Sequence, residues 1–355
     1  MRKCTGAAMR EAAHAAVTPP TRPSLVRIVV PEPLSPGHVL HERYAIRQRL
    51  ARGGMGSIYL AEDQRLPGRQ CAVKEVKHDP DLSEPLRAEA REQFFREASV
   101  LARLDHPNLP KVSDYFSDPQ RDYLVMDYVA GPDLKSMVDQ AAAHGTRLAV
   151  TEILRWADQI LDALSYMHGQ DPPVIHRDIK PSNLKLTPTG LIKLVDFGLV
   201  KTMAPDDMTV TVIQGRGTAL YTPLEQYGGD TGHTEPRSDL FSLGATLYHL
   251  LTGRPPAEAK ERFLRPEALV PPRQLGPEIP PYVEACVLWA LSLHPDNRPT
   301  DADSMRAALH PDPAERLLSL PSGWRRKWES AAAPDRGLTV LAAALLLLAM
   351  MASLA

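Results

Sequence analysis

The chain has 355 residues, 43% hydrophobic and 24% charged, with a formal net charge of −2. That is an ordinary globular composition, long enough for two or three domains or one large two-part domain, and it gives no basis for general nucleic-acid binding. Its three cysteines, Cys4, Cys71 and Cys286, stand far apart, which excludes a disulfide framework or zinc pattern and favours a reducing compartment.

Met1–Val17 is rich in alanine but has no apolar core, so it does not read as a secretory signal. Pro19, Pro20, Pro23, Pro31, Pro33 and Pro36 then mark a flexible, disordered lead-in. Tyr44–Leu60, YAIRQRLARGGMGSIYL, reads as two strands around a glycine-rich turn. Gly53, Gly54 and Gly56 would let backbone amides approach phosphates, although an ordinary hairpin turn fits the same residues. Cys71-Ala72-Val73-Lys74 is an apolar strand ending in a lysine. Phe94, Phe95, Ala98, Leu101 and Leu104 recur at helical spacing and predict a helix over Ala88–Leu104, which carries Glu92 and Glu97. Asp105-His106-Pro107-Asn108 breaks it. Two strands follow, Lys111–Phe116 and Tyr123–Val129, with Arg121-Asp122 in the turn between them. Asp133 is placed to N-cap the next helix. The change from strands to helices here predicts a small β-rich lobe joined to a larger helical one.

Thr151 is a candidate N-cap for a helix with apolar positions from Ile153 to Met167. The stretch Val174–Gly198 then holds His176-Arg177-Asp178, Asn183 and Asp196-Phe197-Gly198. Its apolar runs Leu184–Leu186 and Leu191–Val195 flank Pro188-Thr189-Gly190, which predicts a loop feeding a β-hairpin. Folding that hairpin would bring Asp178, Asn183 and Asp196 to one rim. Such a rim suits phosphoryl transfer, with Asn and Asp oxygens holding Mg²⁺ and a second carboxylate accepting the proton of an attacking hydroxyl. Between Asp196 and Glu225 lies a polar segment with Thr202, Thr209, Thr211 and Thr218, where an added phosphate would pair with Arg177. Arg237–Gly253 is an apolar helix opening with Asp239, and a Pro-rich 254–281 stretch leads to helices ending near His310. Leu338–Ala355 carries no charge and reads as a membrane span at the short end of the usual range. Arg325, Arg326, Lys327 and Arg336 precede it and place the main body on the cytoplasmic side.

The series from the glycine turn through HRDIKPSN and DFG to Arg298 resembles bacterial eukaryotic-like serine/threonine protein kinases of the membrane-anchored type, over about residues 38–310. The resemblance implies an α+β, bilobal protein-kinase-like fold with a C-terminal transmembrane helix. The divisions are a Pro-rich tail (1–37), an N-lobe (38–129), a C-lobe (130–310), a basic juxtamembrane linker (311–336) and the span (337–355). It implies nucleotide contacts from Leu50, Ala51, Arg52, Gly53, Gly54, Met55, Gly56, Ser57, Ile58, Ala72 and Lys74, with Ala51 standing where the family's first loop glycine belongs. Met126 takes the gatekeeper position, and Asp127 to Val129 the adenine-binding hinge. Lys74 would hold phosphates and pair with Glu97, Asp178 would act as catalytic base, and Lys180, in the serine/threonine form of the loop, would support the transferring phosphoryl group. Asn183 and Asp196 would bind Mg²⁺, Thr218 would position substrate near Asp178, and Glu225 would pair with Arg298. The implied activity is transfer of the ATP γ-phosphate to Ser/Thr of proteins at the cell membrane, with autophosphorylation at Thr209 and Thr211 between two copies. Two other classes stay open: a nucleotide-binding pseudokinase scaffold, for which Ala51 and the Pro223-Leu224-Glu225 triplet speak, and a receptor or anchor.

Overall fold

The computed structural model describes residues 33–52, 56–78, 83–196, 216–227 and 234–311. The chain divides after Pro33 into two units, and every element named here lies in the second. Strands β1 (Val39–Leu40), β2 (Tyr44–Arg52), β3 (Ser57–Asp63), β4 (Gln70–Lys77), β5 (Val112–Ser117) and β6 (Arg121–Asp127) form one antiparallel sheet in the order β1-β2-β3-β4-β6-β5. Residues opposite one another across antiparallel strands share a face. Ala72, Lys74 and Val76 of β4 therefore join Met126, Leu124 and Asp122 of β6 on one face. Helix α1 (Glu84–Arg103) covers it, with Phe94, Ala98 and Leu101 in the same apolar cluster as Val76 and Leu124.

Two local expectations change here. Arg121 and Asp122 open β6 instead of forming the turn; Asp118 makes the turn, its Oδ1 accepting the N–H groups of Gln120 and Arg121 at 2.8 Å each. Helix α1 also begins four residues early, because Pro85 in its first turn lacks only an N–H that the helix would leave unpaired anyway.

The helical lobe contains α2 (Leu134–Ala143), α3 (Val150–His168), the hairpin β7 (Leu184–Leu186) and β8 (Ile192–Leu194), and the short α4 (Arg216–Ala219). After these come α5 (Pro236–Thr252), α6 (Ala259–Leu264), α7 (Pro272–Leu275), α8 (Pro281–Ala290) and α9 (Ala302–Leu309). Asp133 caps α2 as expected, accepting the Ser136 N–H at 2.8 Å. Thr151 does not cap α3: Ala149 stands at that position without a side-chain bond, and Thr151 lies inside the first turn beside Glu152, whose charge suits the helix N-terminus. Helix α5 is buried along nearly its whole length, as its apolar sequence requires, and Gly253 ends it in the left-handed region at φ +73°.

Gly131 sits at the crossing between the lobes with φ +111°, and a Cβ there would stand 2.0 Å from the Leu186 carbonyl oxygen. Both the backbone conformation and the close approach to β7 demand glycine. Gly131→Ala is expected to cost about 2 kcal/mol or more, read as a lowered denaturant midpoint; an unchanged midpoint would show that the crossing tolerates a methyl.

Among the described residues no helix is long and apolar enough to cross a membrane. The span read at 337–355 lies outside them, as do the tail at 1–32 and the linker from 312 onward.

Candidate active site

The loop between α3 and β7 is held from below by one carboxylate. Asp239, fully buried in the first turn of α5, accepts the backbone N–H groups of His176 and Arg177, each at 2.8 Å. His168, in the last turn of α3, places Nε2 3.0 Å from the same carboxylate. Burial alone would raise the Asp239 pKa, but the His168 bond and the loop amides more than offset it, leaving the carboxyl below its usual range. Burial pushes the His176 imidazole down, so this ring is neutral and serves as packing. Arg177 adopts φ +66°, a strained value for a non-glycine residue that the two Asp239 bonds sustain.

Above this floor the predicted rim forms. Lys180 Nζ lies 2.9 Å from Asp178 Oδ2 and 3.3 Å from the Thr218 hydroxyl, joining three predicted residues. Asn183 Nδ2 donates to the Asp178 carbonyl at 2.8 Å and to Asp178 Oδ2 at 3.0 Å. With both amide hydrogens engaged there, its Oδ1 is the group left to accept a bond or a cation. The Val195 N–H bonds the Asn183 carbonyl at 2.8 Å, which ties the end of β8 to the loop just before Asp196. Asp196 has φ +65° and forms an ion pair with Lys74 across the lobes.

The expected Lys74–Glu97 pair is not made. Lys74 turns to Asp196, while Glu97 accepts from Gln93 Nε2 at 2.8 Å within its own helix. An intrahelical i,i+4 partner is enough to hold Glu97 on α1, so its register within the helix does not bring it to the strand lysine.

On the nucleotide side, Ala51 pairs with Ile58 and Arg52 with Ser57 across β2 and β3. Leu50, Ala51 and Arg52 are exposed, and Ser57 is buried. Gly56 approaches β4 so closely that a Cβ would lie 1.8 Å from the Glu75 carbonyl oxygen. Ala72 faces Met126 across the sheet, and both are buried, as is Val129. Asp127 closes β6, its N–H bonded to the Lys111 carbonyl at 3.0 Å. Gly53, Gly54, Met55, Phe197, Gly198, Thr202, Thr209 and Thr211 lie outside the described residues.

The predicted Glu225–Arg298 pair is present and bidentate, at 2.6 and 3.0 Å. Beside Lys180 and Thr218 opens a groove of about 470 Å³, continued by Pro181, Tyr221, His249 and the Lys135–Asp139 pair of α2. Tyr221 and His249 Nδ1 are 2.6 Å apart at its floor, where burial lowers the His249 pKa to about 4. Sequence reading passed over His168, Tyr221 and His249. The signal available for His168 was a basic residue in a last helical turn; for the other two, only tertiary packing brings them together.

Against known proteins, the protein kinase domain family matches residues 44–312, most of the chain. The chain belongs to the protein kinase family. Its domain is a serine/threonine protein kinase domain by likeness to curated relatives. It is 39% identical over 278 residues to a probable serine/threonine-protein kinase, SCO3848, of Streptomyces coelicolor, a match covering 75% of this chain and 39% of the relative. It is 37% identical over 288 residues to the serine/threonine-protein kinase PknB of Mycolicibacterium smegmatis, covering 78% of this chain and 43% of that protein. The chain thus spans about two-fifths of the length of these relatives. Among solved structures it is similar to PpkA-294 in its apo form (TM-score 0.64, 27% identity, 78% of this chain and 99% of that one). It is also similar to the Mycobacterium tuberculosis PknI kinase domain (TM-score 0.59, 26% identity, 80% of this chain and 100% of that one). The sheet lobe and the helical lobe are accordingly the N-lobe and C-lobe of a bilobal kinase fold.

Proposed function

We propose that this kinase domain transfers the γ-phosphate of ATP to serine or threonine of proteins, itself included. The observation that carries the reading is Asp178 held between Lys180 and Asn183 at the mouth of the groove, with Lys74 reaching Asp196 opposite. Asp178 orients the acceptor hydroxyl and takes its proton. Lys180 neutralises charge developing on the phosphoryl oxygens, and its bond to Thr218 fixes it at the groove where a substrate segment would lie. Lys74 holds the nucleotide phosphates, the sheet residues from Leu50 to Ile58 and Ala72 cover the nucleotide, and Met126, Asp127 and Val129 border its base.

Membership of the family implies use of ATP and Mg²⁺. The donor set fits that ion: the Asn183 Oδ1 and the Asp196 carboxylate are hard oxygen ligands, and a magnesium site needs only one or two protein carboxylates beside phosphates. Bound there, Mg²⁺ would neutralise phosphate charge. The scaffold reading loses one of its supports, because Ala51 is a residue of β2 paired with Ile58, and its methyl stands in an exposed position.

The apolar run 338–355 behind its basic flank supports attachment to the cell membrane with the kinase domain cytoplasmic. Thr209 and Thr211 are proposed as autophosphorylation sites reached from a second copy.

The test incubates the detergent-solubilised full chain with radiolabelled ATP, with and without Mg²⁺. Label on serine or threonine, dependent on the metal, is expected. Tight nucleotide binding without any transfer would replace this reading with the scaffold.

A further inference from the structure

Arg91, in the first half of α1, reaches to the β5–β6 hairpin. Its Nη2 donates to the Asp118 carbonyl at 3.0 Å, and its Nε stands 3.9 Å from Asp122 Oδ1. Asp122 is fully buried on the sheet face beneath α1, opposite Val76 and one pleat from the Lys74–Leu124 pair. Its Oδ1 takes the Ser117 hydroxyl and has His78 Nε2 at 3.3 Å. Arg91 Nε, His78 Nε2 and Asp122 Oδ2 have no hydrogen-bond partner among the described residues. Three buried polar atoms of complementary kind therefore stand together, one short movement from satisfying each other.

That movement belongs to α1. Arg91 precedes Phe94 by three residues and Ala98 by seven, which puts it on the helix face that packs against the sheet. Glu97 follows six residues later, about 9 Å along the axis. The rows holding Lys74 and Asp122 are two residues apart, roughly 7 Å along the strands. One helix thus carries a cation and an acid at nearly the spacing at which the sheet beneath it carries an acid and a cation. In this structure Glu97 is held by Gln93 and Lys74 by Asp196, and Arg91 lies just outside hydrogen-bond reach of Asp122.

We propose that Arg91 is a positioning residue, its contact with buried Asp122 being the pivot on which α1 turns to bring Glu97 onto Lys74. Closing that contact satisfies the orphaned atoms and draws the first half of α1 onto the sheet. His78, whose N–H is bonded to the Gln120 carbonyl at 3.1 Å, holds the end of β4 in register while this happens. The proposal rests on the kinase reading, since it concerns the same Lys74.

Two measurements test it. In a kinetic cycle on the full chain, Arg91→Gln is expected to lower kcat about tenfold with little change in KM for ATP, and Arg91→Lys to restore most of the loss. In a Glu97→Gln background the Arg91→Gln effect should vanish, because Arg91 acts only through Glu97. An equal loss in both backgrounds would make Arg91 a general stabiliser and overturn the proposal. The second measurement does not depend on catalysis. Spin labels at Glu89→Cys on α1 and Leu66→Cys between β3 and β4, in a Cys4→Ser background, report the distance between them with and without Mg²⁺ and a non-hydrolysable ATP analogue. The distance should shorten on nucleotide binding with Arg91 present and stay fixed in Arg91→Gln. A helix that moves equally in both, or in neither, overturns the pivot even where phosphate transfer is absent.

Discussion

Asp178→Asn is expected to transfer phosphate at least a thousandfold more slowly than the unaltered protein while binding nucleotide equally well. The amide keeps an oxygen that can accept from Lys180 and Asn183, so the bonds that hold the loop survive. What disappears is the group able to take the hydroxyl proton, a contribution worth about 10²–10⁴ in rate. The expected loss lies in the upper part of that range because Lys180 and Asn183 both aim at the same Asp178 oxygen, so an amide nitrogen placed there would also repel them. Nucleotide affinity should not change, since the backbone beneath is held by Asp239 whatever stands at position 178. Single-turnover quenching measures the first quantity and nucleotide-dependent thermal shift the second. A variant retaining more than a tenth of the rate would remove Asp178 from the chemistry.

The second large effect concerns stability. Arg298 is buried to 2% exposure, donates to both Glu225 oxygens and to the carbonyls of Ser292, Arg237 and Leu293, and lies over the Phe241 ring. Removing one side of a buried pair leaves an unsatisfied charge and costs about 3–5 kcal/mol. Arg298→Leu should therefore consume a third or more of an ordinary folding stability, of order 5–15 kcal/mol, and lower the melting temperature by roughly 10 °C. The pH dependence follows from Glu225. Burial raises its pKa, but Arg298 more than compensates, and the carboxyl lies below its usual range. A carboxyl depressed on folding contributes stability above its unfolded value, about 4.3, and loses it as pH falls through the folded value. In Arg298→Leu that contribution is gone and burial alone acts on Glu225, so the variant is penalised most at neutral pH. The gap between the two proteins should narrow on acidification. A gap that is constant from pH 7 to pH 4 would show that Glu225 does not depend on Arg298.

The catalytic loop was legible because its chemistry is local. His176 to Asn183 form a short turn whose side chains bond one another within five residues, and the hairpin that carries Asp196 back is written in two apolar runs and a turn. Asp133 and the Glu225–Arg298 pair were legible for related reasons, a cap and a pair of unlike charges in an apolar context. The misread positions depend on distant packing. Asp122 reads as a turn residue because aspartate favours turns, yet Ser117, His78 and Arg91 around it make a buried strand position tolerable. Thr151 has capping chemistry, but α3 starts one residue sooner. The Lys74–Glu97 pair depends on how α1 sits over the sheet, and residue spacing along the chain carries no information about that.

The Asp239 anchor also bears on selectivity between inhibitors. The shape around Asp178, Lys180 and Asn183 is imposed from inside the C-lobe, by bonds that neither nucleotide nor helix α1 touches. A compound that reads only this shape would meet the same surface in every state of the enzyme. It would also meet it in every relative built on the same buried carboxylate. A compound that instead parts Lys74 from Asp196, or wedges beneath α1 near Glu97, would encounter a surface that differs between resting and working states. Molecules of the first kind would be broad and insensitive to regulation; those of the second would be narrow, and their potency would follow how often the helix is out of place.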